Sequence, residues 1–433
     1  MVTQFLNFIK NSPSMFHAVQ NLQNKLENAG FVELNETENF NLKNGGKYFV
    51  VRNQSSIIAF ALAKNLSNYH YQLVASHSDS PTFKLKSSFD SADKDYTKLN
   101  VEAYGGMICS TWFDRPLSVA GRVLVRTEQG IKAALVNMDR DLLIIPNVAI
   151  HFNREINKGF AINNQVDMLP LFANGNKEGK LLKLIAENLN VRVEDIIAHD
   201  LYLYNRMPGS IFGDENEFIG SPKIDDLECA FTSFEAFASS ESKYGINVAC
   251  CFDNEEVGST SKQGANGTFL ADILKRINTA LGKSAEEYYQ AIAKSFMISA
   301  DNAHALHPNH PEYCDKENRC FMNSGPVVKF SANQKYTSDG ISASVFREIC
   351  KEAGVPSQTF LNRSDMLGGS TLGNLANTQV SMHTVDVGLP QLAMHSAYET
   401  AGTKDVELMI KALQKFYTAD IDVKSNTEIQ INY

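Results

Sequence analysis

The stretch INVACCFDNEE, residues 246–256, joins an apolar run directly to a group of acidic side chains. The run Ile246 to Phe252 is almost wholly apolar, which is typical of a strand that is buried on both faces of a sheet. Asp253, Glu255 and Glu256 follow where that strand is expected to end. In α/β proteins, ligands bind beyond the carboxyl ends of the strands. The stretch therefore predicts both a buried central sheet and a functional site at its edge.

Helical and strand-like segments alternate on both sides of this stretch. Strand-like runs lie at Tyr48 to Arg52, Ser56 to Ala63, Tyr71 to Ala75 and Phe296 to Ala300. Helical periodicity marks other segments: a first helix with Ser14 as its cap and Gly30 at its end, a second along Leu227, Phe231, Phe234 and Ala238, a third along Leu270, Ile273, Leu274 and Ile277, and a fourth that ends at Gly354. This alternation predicts a three-layer α/β unit.

The segment from about Phe83 to Glu215 has a different character. Strand-like stretches alternate there with turns, and long helical periodicity occurs only around Lys180 to Leu189. We predict that residues 83–215 are a mostly β domain inserted into the α/β unit. That unit would then comprise residues 1–82 and 216–433.

Composition excludes several classes of protein. The 433 residues carry 40 Lys and Arg against 49 Asp and Glu, a formal net charge of -9, which argues against a nucleic-acid binder. The longest apolar runs are too short to span a bilayer, and the N-terminal residues do not resemble a signal peptide. Seven scattered cysteines are too few for a disulfide framework. We expect a soluble, cytoplasmic protein without nucleic-acid or membrane partners.

Five segments place carboxylates or histidines at the ends of apolar runs or just before a helix: 73–79, 221–226, 248–256, 296–301 and 389–395. Any one of them could be an ordinary polar loop. Together they favour a metal site, because carboxylates aimed at one point repel one another unless a cation lies between them. Two histidines with several carboxylates suit Zn²⁺, Mn²⁺ or Co²⁺. Periodicity alone does not choose among the ligands.

Eight blocks in a fixed order make the sequence recognisable. They are SHSDSP (76–81), VEAYGGMICSTWFDRPLSVAGRV (101–123), PNVAIHFNREIN (146–157), SPKIDDL (221–227), DNEEVGS (253–259), SADNAHALHPNH (299–310), SGPVVK (324–329) and VDVGLPQLAMHS (385–396). With these blocks the chain resembles the aspartyl aminopeptidase and vacuolar aminopeptidase I family of dinuclear zinc peptidases, particularly its bacterial members. The resemblance implies a three-layer αβα zinc-peptidase catalytic domain, with the inserted mostly β domain serving for dimerisation.

The resemblance also implies a ligand set for two divalent ions, most simply Zn²⁺. His77 and Asp301 would bind one ion, Glu256 and His395 would bind the other, and Asp225 would bridge them. Asp226 is the alternative to Asp225 on position alone.

Further roles follow from the same resemblance. Glu255 would be the general base that activates the water shared by the two ions. Asp79 would accept the other ring N–H of His77 and so fix its tautomer. His151 would reach into the active site of a neighbouring subunit and stabilise an oxyanion there; the alternative is a buried structural histidine.

Three residues are expected around the substrate. The resemblance places Lys329 at the pocket for the substrate side chain with Tyr336 nearby, although a lysine at a strand end is often simply solvated. For His304 we prefer a loop or substrate-contact role to a separate metal site with His307 and His310. The segments Ser364 to Gly369 and Ala397-Tyr398 depart from the eukaryotic relatives, which leaves the acidic preference open.

These features predict a two-metal aminopeptidase that hydrolyses N-terminal residues, with Asp and Glu as the leading candidates, from peptides. The resemblance implies dimers that assemble into a tetrahedral homododecamer. Three alternatives remain: the same chemistry with broad or neutral specificity, a carboxypeptidase or amidohydrolase on the same scaffold, and a catalytically silent assembly protein. The intact Glu255 and the complete ligand set argue against the last.

Overall fold

The structure, a computed structural model, describes residues 1–66, 69–425 and 427–433. Its α-helices are α1 (Val2–Lys10), α2 (Met15–Asn28), α3 (Asn164–Asp167), α4 (Lys180–Leu189), α5 (Ile224–Ser239), α6 (Phe269–Ala280), α7 (Ala285–Ala293), α8 (Gly340–Glu352), α9 (Leu372–Gln379) and α10 (Thr403–Thr418).

The strands up to the start of the long helix α5 are β1 (Val32–Glu33), β2 (Lys47–Arg52), β3 (Ser56–Leu62), β4 (Tyr71–His77), β5 (Thr82–Ala92), β6 (Tyr96–Tyr104), β7 (Leu117–Thr127), β8 (Gly130–Asn137), β9 (Leu171–Asn174), β10 (Ile196–Asn205), β11 (Ser210–Phe212) and β12 (Phe218–Ser221). The later strands are β13 (Ile246–Phe252), β14 (Phe296–Ala300), β15 (Ala303–His304), β16 (Val327–Lys329), β17 (Gln358–Phe360), β18 (His383–Gly388), β19 (Pro390–Leu392), β20 (Glu399–Gly402), β21 (Asp420–Ser425) and β22 (Glu428–Asn432).

The largest sheet has the order β1-β2-β3-β13-β4-β14-β18-β16-β17. Its centre is parallel, since β13, β4, β14 and β18 run in one direction. Side chains alternate between two hydrophobic cores on opposite faces of this sheet: Ala249 and Cys251 of β13 contact one core, and Val248 and Cys250 contact the other. Helices α1, α2, α5, α8 and α10 cover the first face, and α6, α7 and α9 cover the second. The α/β prediction is confirmed.

The predicted element bounds compare closely with those observed. The strands predicted at 246–252 and 296–300 have those same limits, and β4 extends two residues beyond the predicted run to end at His77. Ser14 occupies the cap position of α2, but its hydroxyl does not bond a backbone N–H. It lies 2.8 Å from Nδ1 of His17, one helical turn along, and this side-chain partner replaces the usual cap.

A second sheet lies almost wholly within residues 83–215. Its order is β8-β7-β10-β5-β6-β9, and each neighbouring pair is antiparallel. This sheet packs with α4 over a hydrophobic core of its own, which includes Phe83, Trp112 and Leu181. A smaller sheet of order β11-β12-β20-β19-β15 lies beside the carboxyl edge of the large one.

Two further observations bear on the expected class of protein. None of the helices in the described ranges combines the length and apolar character that crossing a bilayer requires. The cysteines are free thiols, and Cys229, Cys250, Cys251, Cys320 and Cys350 are buried.

Candidate metal centre and active site

Three adjacent parallel strands deliver acidic and histidine side chains to one edge of the large sheet. His77 is the last residue of β4, Asp301 follows β14 directly, and Glu255 and Glu256 begin a short turn just beyond β13. Since β13, β4 and β14 are parallel neighbours, their carboxyl ends meet. Gly388 of β18 allows the close approach there, because a Cβ at that position would lie 1.9 Å from the carbonyl oxygen of Asp301.

Two more segments close over this edge. Asp225 lies at the start of α5 in a non-helical conformation (φ -77°, ψ 112°), so the direction of its carboxylate is not fixed by helical geometry. His395 lies in the loop between β19 and β20 with a positive φ of 67°. Both side chains therefore reach the strand ends from irregular backbone.

Of the three groups of candidate ligand atoms in the described residues, two share Asp225. One group contains His77, Asp225, Asp226 and Asp301, and the other contains Asp225, Glu256 and His395. Within each group the atoms lie within 4.8 Å of one another.

The two oxygens of Asp225 face different histidines. Oδ1 lies 3.6 Å from Nε2 of His77, and Oδ2 lies 3.5 Å from Nε2 of His395. Nε2 of His395 also lies 3.3 Å from Oε2 of Glu256. A carboxylate placed in this way can serve two cations at once.

The electrostatics of the cluster fit cations. Burial, followed by the neighbouring Asp225, holds the pKa of Glu256 well above its ordinary value, and burial raises the pKa of Asp301 to about 6. Burial would raise the pKa of Asp225 as well, but contacts with His395 and His77 hold it below its ordinary value. Among the described residues, Oδ1 of Asp225, Oδ1 of Asp226 and Oε1 of Glu256 are buried without a hydrogen-bond partner. Crowded carboxylates with unused oxygens, beside two imidazoles, suit Zn²⁺.

Asp226 is buried beside the same cluster, but one of its oxygens already has a partner. Oδ2 accepts a 2.9 Å hydrogen bond from the backbone N–H of His77, and it lies 4.0 Å from that residue's Nε2. Asp226 therefore supports the backbone that carries His77. Asp225, by contrast, faces both histidines.

Glu255 lines the open pocket beside the cluster, together with Asp301 and His395. Burial raises the pKa of Glu255 to about 8. Its carboxylate also forms a third candidate ligand group, with His77 and Glu256, which does not include Asp225. A carboxylate beside a metal cluster, on the wall of an open pocket, can exchange a proton with a molecule bound there.

Asp79 contacts His77 differently from the sequence expectation. Nδ1 of His77 lies 3.1 Å from the backbone carbonyl of Asp79 and 3.4 Å from its carboxylate Oδ1. The carboxylate accepts the Tyr104 hydroxyl at 2.8 Å and the backbone N–H groups of Glu255 and Glu256 at 3.1 and 3.2 Å. The short spacing between His77 and Asp79 favours the carbonyl contact and leaves the carboxylate available to the neighbouring loop.

Two supporting groups were missed by the sequence analysis. The carboxylate of Glu399 accepts the backbone N–H groups of Ile224, Asp225 and His395, at 2.7, 3.1 and 2.8 Å. The carbonyl of Gly106 lies 2.6 Å from Nδ1 of His395 and thereby directs Nε2 toward the cluster. Only an acidic residue four positions after His395 could have signalled Glu399, and nothing local signals Gly106.

The pocket contains the predicted substrate residues Lys329, Tyr336 and His304. Lys329 is buried, and its Nζ donates to the backbone carbonyls of Asp301 and Asn302, at 2.7 and 3.2 Å. Nζ also lies 5.2 Å from the centre of the Tyr336 ring. The cation at this position is therefore held by backbone dipoles at the pocket wall, not solvated at a strand end.

His151 is not part of this assembly. It lies in an exposed turn between β8 and α3, and it is absent from the described lining of the pocket. Because His151 is exposed, the alternative role of a buried structural histidine does not fit this chain. Three neighbours in sequence, Val148, Ile150 and Phe152, are also exposed, at 52, 48 and 87%.

Comparison with known proteins adds an independent line of information. The family model described as aminopeptidase I zinc metalloprotease (M18) matches residues 8–417. A protein of Clostridium acetobutylicum named probable M18 family aminopeptidase 2 is 46% identical over 422 residues, which cover 96% of this chain and 98% of that protein.

Two solved structures are also similar to this chain over nearly its whole length. Ape4, in a cryo-EM structure of its complex with Nbr1, superposes with a TM-score of 0.93 at 36% identity, covering 96% of this chain and 85% of that one. The mApe1 dodecamer of S. cerevisiae superposes with a TM-score of 0.84 at 27% identity, covering 96% of this chain and 95% of that one.

Proposed function

The chain belongs to the aminopeptidase I zinc metalloprotease (M18) family and is a zinc aminopeptidase, and on that premise we propose that it uses two divalent ions and a glutamate base to remove acidic N-terminal residues from peptides. The observation that carries the proposal is the pair of ligand groups that share Asp225. We assign His77 and Asp301 to one ion and Glu256 and His395 to the other, with Asp225 between them.

When bound, the ions would supply Lewis-acid polarisation of the scissile carbonyl, a lowered pKa for the attacking water and a site for the free α-amino group of the substrate. Glu255 takes a proton from the attacking water and returns it to the leaving amine. Its raised pKa and its place on the pocket wall support this role. Asp79 holds the backbone of Glu255 and thereby orients the base.

Acidic specificity is assigned to Lys329 together with Tyr336 and His304. A carboxylate side chain that enters the pocket exchanges hydration for a fixed cation, and the buried ammonium of Lys329 is such a cation. One observation favours a second candidate, namely broad or neutral specificity. The ammonium is already bonded to two carbonyls and lies 3.8 Å from Oδ2 of Asp301, which offsets part of its charge.

We further propose that residues 83–215 form an inserted dimerisation domain between the two parts of the catalytic domain, 1–82 and 216–433. The exposed Val148, Ile150 and Phe152 support an interface there, because monomeric proteins rarely expose clustered large apolar side chains. His151, between two of them, would then reach the neighbouring subunit's active site. Since a dodecamer is known for the S. cerevisiae mApe1 structure, we propose a tetrahedral homododecamer here.

We also propose the cytoplasm as the working compartment. The cysteines are free thiols, and free thiols persist where the redox poise is reducing. Fractionation of the native host, followed by detection of the chain, tests this assignment.

The decisive experiment uses neighbouring glutamates as a matched pair. Glu255→Gln keeps size and removes the base, so we expect kcat on aspartyl peptides to fall by about 10²–10⁴ with metal content unchanged. Glu256→Gln makes the same chemical change one residue further on and should instead lose metal. A Glu255→Gln variant with near-parental kcat, at full metal content, would contradict the proposed mechanism.

A further inference from the structure

The loop that follows β6 connects the 83–215 segment to the metal centre of the same chain. The carbonyl of Gly106 accepts the ring N–H of His395, and the backbone N–H of Ile108 donates to the carbonyl of His395 at 3.0 Å. Gly105 has a φ of 77°, and a Cβ there would lie 3.1 Å from the Cβ of Glu256. This loop is therefore packed directly against two of the proposed ligands.

Tyr104, the last residue of β6, adds a hydrogen bond of defined direction. Its hydroxyl lies 2.8 Å from Oδ2 of Asp79 and 2.9 Å from Nδ2 of Asn254. Oδ1 of Asn254 accepts from Ser261 and Gln263, so the amide must donate its N–H to the tyrosine oxygen. The single hydroxyl proton of Tyr104 is thus directed to Asp79.

Asp79 passes this contact on to the catalytic loop. Its two oxygens accept the backbone N–H groups of Glu255 and Glu256, and Oδ2 is shared between Tyr104 and Glu256. Tyr104 and Asp79 are both buried, so solvent does not replace the tyrosine hydroxyl readily. The carboxylate is held in place by one side-chain donor from outside the catalytic segments.

We propose that Tyr104 is a positioning residue: through Asp79 it fixes the backbone of Glu255 and Glu256, so that the 83–215 segment sets the geometry of the active site of its own chain. This inference rests on the proposed roles of Glu255 and Glu256. It gives the inserted segment a function within one subunit, separate from dimerisation.

The test compares Tyr104→Phe with Tyr202→Phe. The ring of Tyr202 packs edge-on against that of Tyr104, with 5.5 Å between centroids, so both variants lose one hydroxyl from the same aromatic pair. In Tyr104→Phe we expect kcat to fall about tenfold or more, because small misplacements of catalytic groups have large effects, while KM changes little. Zinc should also be lost at a lower chelator concentration. The Tyr202→Phe variant should match the parent in both measurements.

A lower Tm for Tyr104→Phe, with parental kcat and chelator resistance in the folded protein, would assign Tyr104 a structural role and overturn the inference. If Tyr104→Phe does not fold, Asp79→Asn serves instead, since the proposed path from Tyr104 to Glu255 and Glu256 uses both oxygens of that carboxylate; unchanged kcat and chelator resistance there would also overturn the inference. Glu255→Gln is measured alongside. An inactive Glu255→Gln with an unaffected Tyr104→Phe rejects only the positioning role, whereas an active Glu255→Gln rejects the proposed function itself.

Discussion

Replacing Glu399 with glutamine tests whether the carboxylate that joins two ligand segments controls metal affinity. Oε2 of Glu399 accepts the backbone N–H groups of Ile224 and Asp225, and Oε1 accepts that of His395 and, at 3.4 Å, the amide of Gln391. Glu399 is 2% exposed, so water does not substitute for a lost acceptor. In Glu399→Gln one of the two oxygens becomes an NH₂ group.

The structure predicts which of the hydrogen bonds to Glu399 is lost in this variant. The oxygen that remains should face Ile224 and Asp225, because two backbone donors converge there. The new NH₂ group then faces Nε2 of Gln391, and rotation of the Gln391 amide by half a turn brings its Oε1, which has no partner among the described residues, round to accept from it. The backbone N–H of His395 is left unpaired, which costs about 1–3 kcal/mol.

When no ion holds the imidazole, the loop of His395 can relax and expose this N–H to water, so the cost falls on the ion-bound state and should appear in the affinity for the ion assigned to His395. About 1–3 kcal/mol corresponds to roughly a 5- to 150-fold rise in Kd. Zn²⁺ titration of the metal-stripped protein, followed by calorimetry or by chelator competition, separates the two binding steps. We expect one step to weaken within this range and the other to change much less.

The matched control is Glu407→Gln, which makes the same change at an exposed position of α10 where Glu407 pairs with Lys411. It should leave both binding steps unchanged. Parental affinity at both sites in Glu399→Gln would refute the reasoning, as would equal weakening of the two sites.

Four further predictions follow. Asp225→Asn should weaken the binding of both ions together, as measured by metal content after dialysis. Loss of one ion alone would argue against a bridging carboxylate. Lys329→Met should reduce kcat/KM for Asp and Glu substrates by about tenfold or more, because a desolvated charge partner is worth about 2–5 kcal/mol, and should affect Leu substrates much less; equal slowing of all substrates would remove Lys329 from specificity. His151→Ala should keep its metals and assembly but lose most of its kcat, and mixing it with inactive Glu255→Gln subunits should restore activity; no recovery in mixed dimers would place the role of His151 within one chain. Burial, together with Lys223, lowers the pKa of His17 from 6.5 to about 4. Between these pH values the unfolded chain binds a proton at His17 and the folded chain does not. The contribution of His17 to the free energy of unfolding is therefore lost as the pH falls from 6.5 toward 4. Between pH 7 and pH 5 the free energy of unfolding should therefore fall by about 2 kcal/mol less in His17→Gln than in the parent. Identical pH profiles of the two proteins in urea unfolding would contradict the lowered pKa of His17.

Local patterns were sufficient for the central elements of the fold. The buried strand β13 and its acidic continuation were readable because a strand covered on both faces must be apolar and must stop where charges begin. Pairing could not be read in the same way. The partners of β13 are β3 and β4, which lie far away in sequence, and no residue of β13 identifies them.

The residues of the candidate site likewise divide into those that local sequence predicts and those that it does not. Residues that interrupt apolar runs, such as His77 and Asp301, stand out from their neighbours. Tyr104 and Glu399 do not, because each acts through hydrogen bonds to residues remote in sequence. The direct contact between His77 and the carbonyl of Asp79 depends on the backbone path after β4, which side-chain patterns do not report.

The dispersion of the ligand groups along the chain has a consequence for biosynthesis. His77 and His395 are separated by roughly 300 residues, and the 83–215 segment lies between His77 and Asp225. At about 5–20 residues per second, a ribosome needs roughly 15–60 s to travel from the first of these histidines to the last. Until then no nascent chain holds both halves of the cluster. A peptidase built in this way stays inert throughout most of its own translation and cannot act on the other new polypeptides around it.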